Sequence, residues 1–185
     1  MHLNTQQEQQ GPEENTRWYH GITRYQWLVL LIASLGWVFD IFEGQIFVAS
    51  MRDAMPQLLG VDSADHPKVG VWSNYSFASF LLGGAFGGVL FGVMSDRIGR
   101  SRTLIFTILF YSIFTSLTAL ATEAWHMVIL RFLVAMGVGG EWAVASAMVA
   151  EVMPQRSRPV MSSIFHASNV FGTLLAAAVG YFILS

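Results

Sequence analysis

VGVWSNYSFASFLLGGAFGGVLFGVMS, residues 69–95, contains no charged side chain and runs straight into the basic turn Asp96-Arg97-Ile98-Gly99-Arg100-Ser101-Arg102. A hydrocarbon core about 30 Å thick needs about 20 apolar residues in helical form. Backbone groups in lipid must be satisfied within the segment, which makes the stretch a membrane-spanning helix rather than an open strand. Gly84, Gly88 and Gly92 recur every four residues, and Gly83 and Gly87 repeat the spacing beside them. That pattern makes a smooth helix face on which a second backbone packs closely.

Four more runs of this kind flank it. The expected spans are about 25–50, 69–95, 103–122, 125–152 and 160–184, behind a polar, disordered tail at 1–24. The whole chain is 54% hydrophobic and 12% charged, with a mean hydropathy of +0.50. Soluble domains carry about 25% charge, so the fold class is an all-α membrane protein of five transmembrane helices. The net charge of −2 argues against a nucleic-acid partner, and the absence of cysteine removes disulfides and thiolate chemistry. No clustered metal ligands and no nucleotide-binding glycine loop appear, so neither a metal nor a cofactor is expected, nor an enzymatic activity. The bilayer itself is the first partner.

Charge asymmetry gives an orientation. Arg17, Arg24, Arg97, Arg100, Arg102, Arg156 and Arg158 fall on one side, against Arg52 and Lys68 on the other. The N-terminus is therefore expected in the cytoplasm, in a multi-pass protein of the cell or inner membrane. Trp18, Tyr19, Trp27, Trp72 and Trp125 suit an interfacial aromatic belt.

The segment Gly92-x-x-x-Asp96-Arg97-x-Gly99-Arg100 resembles the signature that joins the second and third helices of the major facilitator superfamily. Ser101 stands where a basic residue is common. Arg131-x-x-x-Ala135-x-Gly137-x-Gly139 is similar to the family's fourth-helix pattern, with Ala135 in place of glycine. Glu151-x-x-Pro154-x-x-x-Arg158 resembles the exit of that helix. The resemblance implies a cytoplasmic latch built from Asp96, Arg100, Glu151 and Arg158. It also implies two six-helix halves around a midplane site, of which this chain supplies an incomplete N-terminal half. The second and fifth helices would then face a missing C-terminal half, and a fragment is expected.

Ionisable groups inside a span are costly and by default mark a substrate or proton pathway. Asp40 and Glu43 are three residues apart on one side of the first helix, and two carboxylates so close in low dielectric do not readily both ionise. The alternative is that the helix ends early and both face water. By helical rise, Glu43 lies about 10 Å and Asp40 about 15 Å below the outer end of their helix, with Arg131 at about 9 Å. This favours an ion pair of Arg131 with Glu43 or Asp40, broken by protonation. Glu141 lies about 15 Å further inward than Arg131, too far to touch it.

Gly139-Gly140-Glu141-Trp142 and Gly36-Trp37-Val38-Phe39-Asp40-Ile41-Phe42-Glu43 resemble segments of metabolite:proton symporters and the related lactate and sialic-acid carriers. The resemblance implies proton-coupled symport of a small organic anion by alternating access. Sugar transport is the competing substrate class, and a non-transporting sensor or accessory subunit the competing function. His166 and Asn169 form one polar patch on the fifth span, a further candidate for the substrate cavity.

Overall fold

The computed structural model describes residues 18–184; the expected disordered tail lies largely outside them. Helix α1 spans Arg24–Leu59, α2 Pro67–Ile98, α3 Arg100–Thr118, α4 Ala124–Val152, α5 Arg158–Ala167 and α6 Asn169–Leu184. Taken together, α5 and α6 make one 25-residue span over Arg158–Phe182, so the described residues hold five helices long and apolar enough to cross a membrane.

The ends follow local chemistry. Thr23 and Gln26 form a reciprocal capping box at the start of α1, satisfying two otherwise orphaned backbone donors. The helix does not stop near residue 50 as expected. It runs nine residues further, through Arg52 and Asp53, because charged side chains outside the hydrocarbon do not oppose helix. It ends in a Schellman motif at Gly60, φ +63°, where Val61 N–H donates to the Pro56 carbonyl and Gly60 N–H to that of Gln57. The early-ending alternative for α1 therefore does not hold. Pro67 occupies the first turn of α2 behind the His66 cap, where its missing N–H costs nothing.

Between α2 and α3 a single residue turns the chain. Gly99 takes φ +97° and ψ 147°, a backbone that L side chains rarely adopt. The fifth span is not one regular helix. At Ser168 the hydroxyl donates 2.6 Å to the Phe165 carbonyl, a local bond that competes with the helical ladder and marks the α5–α6 join.

Helix α4 lies at the centre, with half of its most apolar window buried against neighbours. The glycine face of α2 meets it. A Cβ on Gly83 or Gly87 would strike the carbonyl oxygens of Phe132 or Met136, and one on Gly139 would strike the backbone of Gly84. Gly84 and Gly88 take part at looser range: an added Cβ would stand 3.8 Å from the Ala135 oxygen and 3.6 Å from that of Gly139. The tightest contact thus uses the neighbouring pair, Gly83 and Gly87. Tyr111 of α3 packs on Gly137 of α4, and Gly172 of α6 on Val38 and Ile41 of α1. These close approaches bring α1, α3 and α4 together around the charged residues.

Candidate functional site

Arg131 Nη1 donates to Glu43 Oε1 at 2.7 Å, joining α4 to α1. The arginine side chain is 1% exposed and the glutamate 18%. The guanidinium lies over the Phe47 ring, 3.2 Å from its centroid, with Phe80 of α2 at 5.3 Å. Such stacking contributes roughly 0.5–2 kcal/mol, more when desolvated. Phe47 follows Glu43 by one helical turn, so acid and ring grip one cation from the same face of α1. The sequence pattern did not single out Phe47 or Phe80, because an aromatic in an apolar span reads as packing.

Asp40 takes a different neighbourhood. It is 4% exposed, and neither carboxylate oxygen has a hydrogen-bond partner among the described residues. The ionisable groups acting on it are Glu141 of α4, Tyr111 of α3 and, more weakly, Glu43. The Tyr111 hydroxyl stands beside Asp40 without closing a hydrogen bond of ordinary geometry. Glu141, 3% exposed, lays Oε1 against Gly36, one turn before Asp40 on α1; its Oε2 is unpartnered. Of the two sequence-derived options for Arg131, the structure brings Glu43 to it, while Asp40 shares its surroundings with Glu141.

Asp40 and Arg131 line one open cavity of about 260 Å³, walled by Trp37, Phe47, Ser76 and Phe80. A neighbouring apolar cleft of about 460 Å³ shares Trp37, Phe80 and Val138 with it and continues to Gly84, Gly88 and Trp142. Glu43 faces a third space, about 380 Å³, with Thr115 and Thr118 of α3. The two members of the Glu43–Arg131 pair thus line different cavities, with Phe47 on both. His166 is exposed on α5, its ring 6.1 Å from Trp142, and Asn169 is exposed at the start of α6. Neither touches the buried acids.

At the end of the bundle carrying the α2–α3 turn, Arg100 bridges two acids. Its Nη2 is 2.7 Å from both Asp96 Oδ1 and Glu151 Oε1, and Nε donates to Glu151 Oε2 at 3.2 Å. Nη1 also bonds Ser95 Oγ. Gln26 Nε2 donates to the Val152 carbonyl at 2.7 Å, and Ser157 Oγ to that of Trp18 at 2.6 Å, tying α1 and the α4–α5 turn to the same end. Arg97 and Arg158 are exposed and make no ion pair among the described residues, so Arg158 stands apart from Asp96, Arg100 and Glu151. Gly92, one turn before the signature acid, leaves open space where a Cβ would stand.

Buried charge on α1 and α4, a glycine-packed α2 and a charged α2–α3 turn are features of one transporter architecture, and the family comparison agrees. The family model for "Sugar (and other) transporter" matches residues 23–185. This chain belongs to the sugar (and other) transporter family of the major facilitator superfamily. It is an integral, multi-pass membrane protein. A Haemophilus influenzae protein named for metabolite transport is 33% identical over 156 residues, 84% of this chain and 36% of that one. The sialic acid transporter NanX of Escherichia coli is 29% identical over 164 residues, 89% of this chain and 38% of its own. The niacin transporter NiaP of Acinetobacter baylyi is 29% identical over 163 residues, 88% and 35% respectively. The family member described here thus spans little more than a third of the curated relatives it matches. No solved structure matches it.

Proposed function

We propose that this chain is the N-terminal part of a proton-coupled symporter for small organic anions, working by alternating access. The observation that carries the reading is the buried Glu43–Arg131 pair, whose two members line different cavities. An acid whose partner is one buried cation holds that cation only while ionised. Protonating Glu43 removes its charge and releases the guanidinium, which then offers its donor fork to a carboxylate entering beside Asp40. Loss of the proton restores the internal pair and expels the anion. Proton and substrate anion thus load together because they act on the same arginine in opposite ways.

Niacin and sialic acid, the compounds in the relatives' names, both carry a carboxylate. That supports an organic anion over a neutral sugar. The basic α2–α3 turn and the Arg156 and Arg158 segment support a cytoplasmic N-terminus. The Asp96–Arg100–Glu151 bridge serves as a latch on that side, one that must open and close in each cycle. The pair of helix α1 and α4 residues also favours transport over a sensor or accessory role, since neither of those needs a breakable buried ion pair.

The test is uptake of labelled nicotinate, N-acetylneuraminate and glucose into vesicles containing the protein, with the outside made acidic. Acceleration of an acid substrate by the gradient, absent for glucose, is the expected result. Glucose uptake alone, or indifference to the gradient, would refute the reading.

A further inference from the structure

Once Arg131 is committed to Glu43, two buried acids are left without a cation. Asp40 and Glu141 come from adjoining helices and both lie almost wholly inside the protein. Three of their four oxygens, Asp40 Oδ1 and Oδ2 and Glu141 Oε2, have no hydrogen-bond partner among the described residues. Glu43 is the acid that acts on Arg131.

The helices explain why the two carboxyls converge. Side chains lean toward the N-terminus of their own helix. Helices α1 and α4 run in opposite directions, so Asp40 leans toward Gly36 while Glu141 leans back toward Asp40. Glu141 Oε1 rests against Gly36, where any side chain would collide with it. Among the described residues, the ionisable neighbours of Asp40 come from three helices. Helix α1 adds Glu43, α3 adds Tyr111, and α4 adds Glu141 with Arg131 on the shared cavity. Helix α2 adds to that cavity the Ser76 hydroxyl beside the Phe77 and Phe80 rings and no ionisable group among the described residues, and His166 of α5 is exposed beside Trp142.

Two buried carboxylates on adjoining helices, one laid against Gly36 a turn before the other and with no cation paired to either, repel in a medium that screens poorly. A buried acceptor without a donor is costly as well. One proton answers both problems: it lowers the pair's charge from −2 to −1 and supplies an O–H that donates to the opposite carboxylate. We propose that Asp40 and Glu141 hold a single proton between them, forming a proton site separate from the Glu43–Arg131 pair. The proton is taken up from water, and no other bond forms or breaks. As a working part of transport the pair rests on the symport reading above; as a chemical state it does not.

The pair is tested by infrared spectroscopy of the protein in lipid nanodiscs at neutral pH, with exchange into D₂O. Wild type and Glu43→Gln are expected to show the C=O band of one protonated carboxylic acid per chain, and the Asp40→Asn/Glu141→Gln double variant none. No such band in wild type, two acids per chain, a band that disappears in Glu43→Gln or one that survives in the folded double variant would each overturn the proposal. Circular dichroism checks folding; if the double variant does not fold, wild type and Glu43→Gln still decide. An intact one-proton band with no pH-driven uptake would sink the symport reading alone. An absent band with intact pH-driven uptake would sink the shared proton alone.

Discussion

Glu43 reaches Arg131 from a position three residues beyond Asp40 on the same helix, yet Asp40 lies with Glu141 and Tyr111 instead. A rotation of about 60° between neighbouring positions of one helix face divides the buried charge into two units. One contains a cation and faces two cavities. The other contains only acids. The two units make different demands on any substitution.

Arg131→Ala leaves the sheltered Glu43 carboxyl without its cation. Removing one member of a buried pair typically costs about 3–5 kcal/mol, so thermal unfolding in detergent should fall markedly. Arg131→Lys keeps the charge but loses the planar stack on Phe47. It should melt within about 2 kcal/mol of wild type and still lose anion uptake tenfold or more. Equal uptake by the lysine variant would show that a point charge suffices.

Gly87→Val places a side chain against the Met136 backbone oxygen, where α2 and α4 touch. Overpacking of this kind costs about 1–3 kcal/mol. Gly92→Ala projects into open space and should be neutral, or slightly stabilising through helix propensity. A melting series over both variants checks the contrast; equal effects would contradict the α2–α4 contact.

Gly36→Ala meets the flexible end of Glu141 rather than backbone. The carboxylate moves and the fold holds, with stability expected within about 1 kcal/mol of wild type. Uptake driven by a pH gradient should still drop, because Glu141 no longer sits beside Asp40. An unaltered gradient response would separate Glu141 from coupling.

Arg100→Ala removes the bridge between Asp96 and Glu151, whose side chains are 64% and 55% exposed. Exposed pairs contribute about 0–1 kcal/mol, so the melting point should hardly move. The transport rate should change much more, since the latch acts on the cycle and not on the fold. Arg158→Ala, outside that bridge, should leave both nearly unchanged.

Much of this was legible beforehand. The apolar runs located all five spans, since hydrocarbon thickness and backbone satisfaction leave few options for such segments. Matching depth along antiparallel helices left Glu43 or Asp40 as the partner of Arg131, and the structure pairs it with Glu43. Depth by rise per residue set Glu141 too far inward to touch Arg131, and no ion pair joins the two among the described residues. It did not bring Glu141 toward Asp40, because it counts backbone position and ignores the lean of each side chain toward its own N-terminus. On antiparallel α1 and α4 that lean brings Glu141 toward Asp40. The first helix ran past its expected end because hydropathy marks where lipid stops, not where helix stops. The Phe47 stack and Tyr111 were invisible in the sequence, since helical periodicity does not say which of many aromatics meets a particular charge.

The most direct measurement is nicotinate uptake into vesicles containing wild type or Glu43→Gln, with and without an inward proton gradient. Coupling through the Glu43–Arg131 pair predicts gradient-driven accumulation in wild type. In Glu43→Gln it predicts loss of that accumulation while exchange of labelled for unlabelled nicotinate continues. Accumulation by Glu43→Gln that responds to the gradient as wild type does would contradict it.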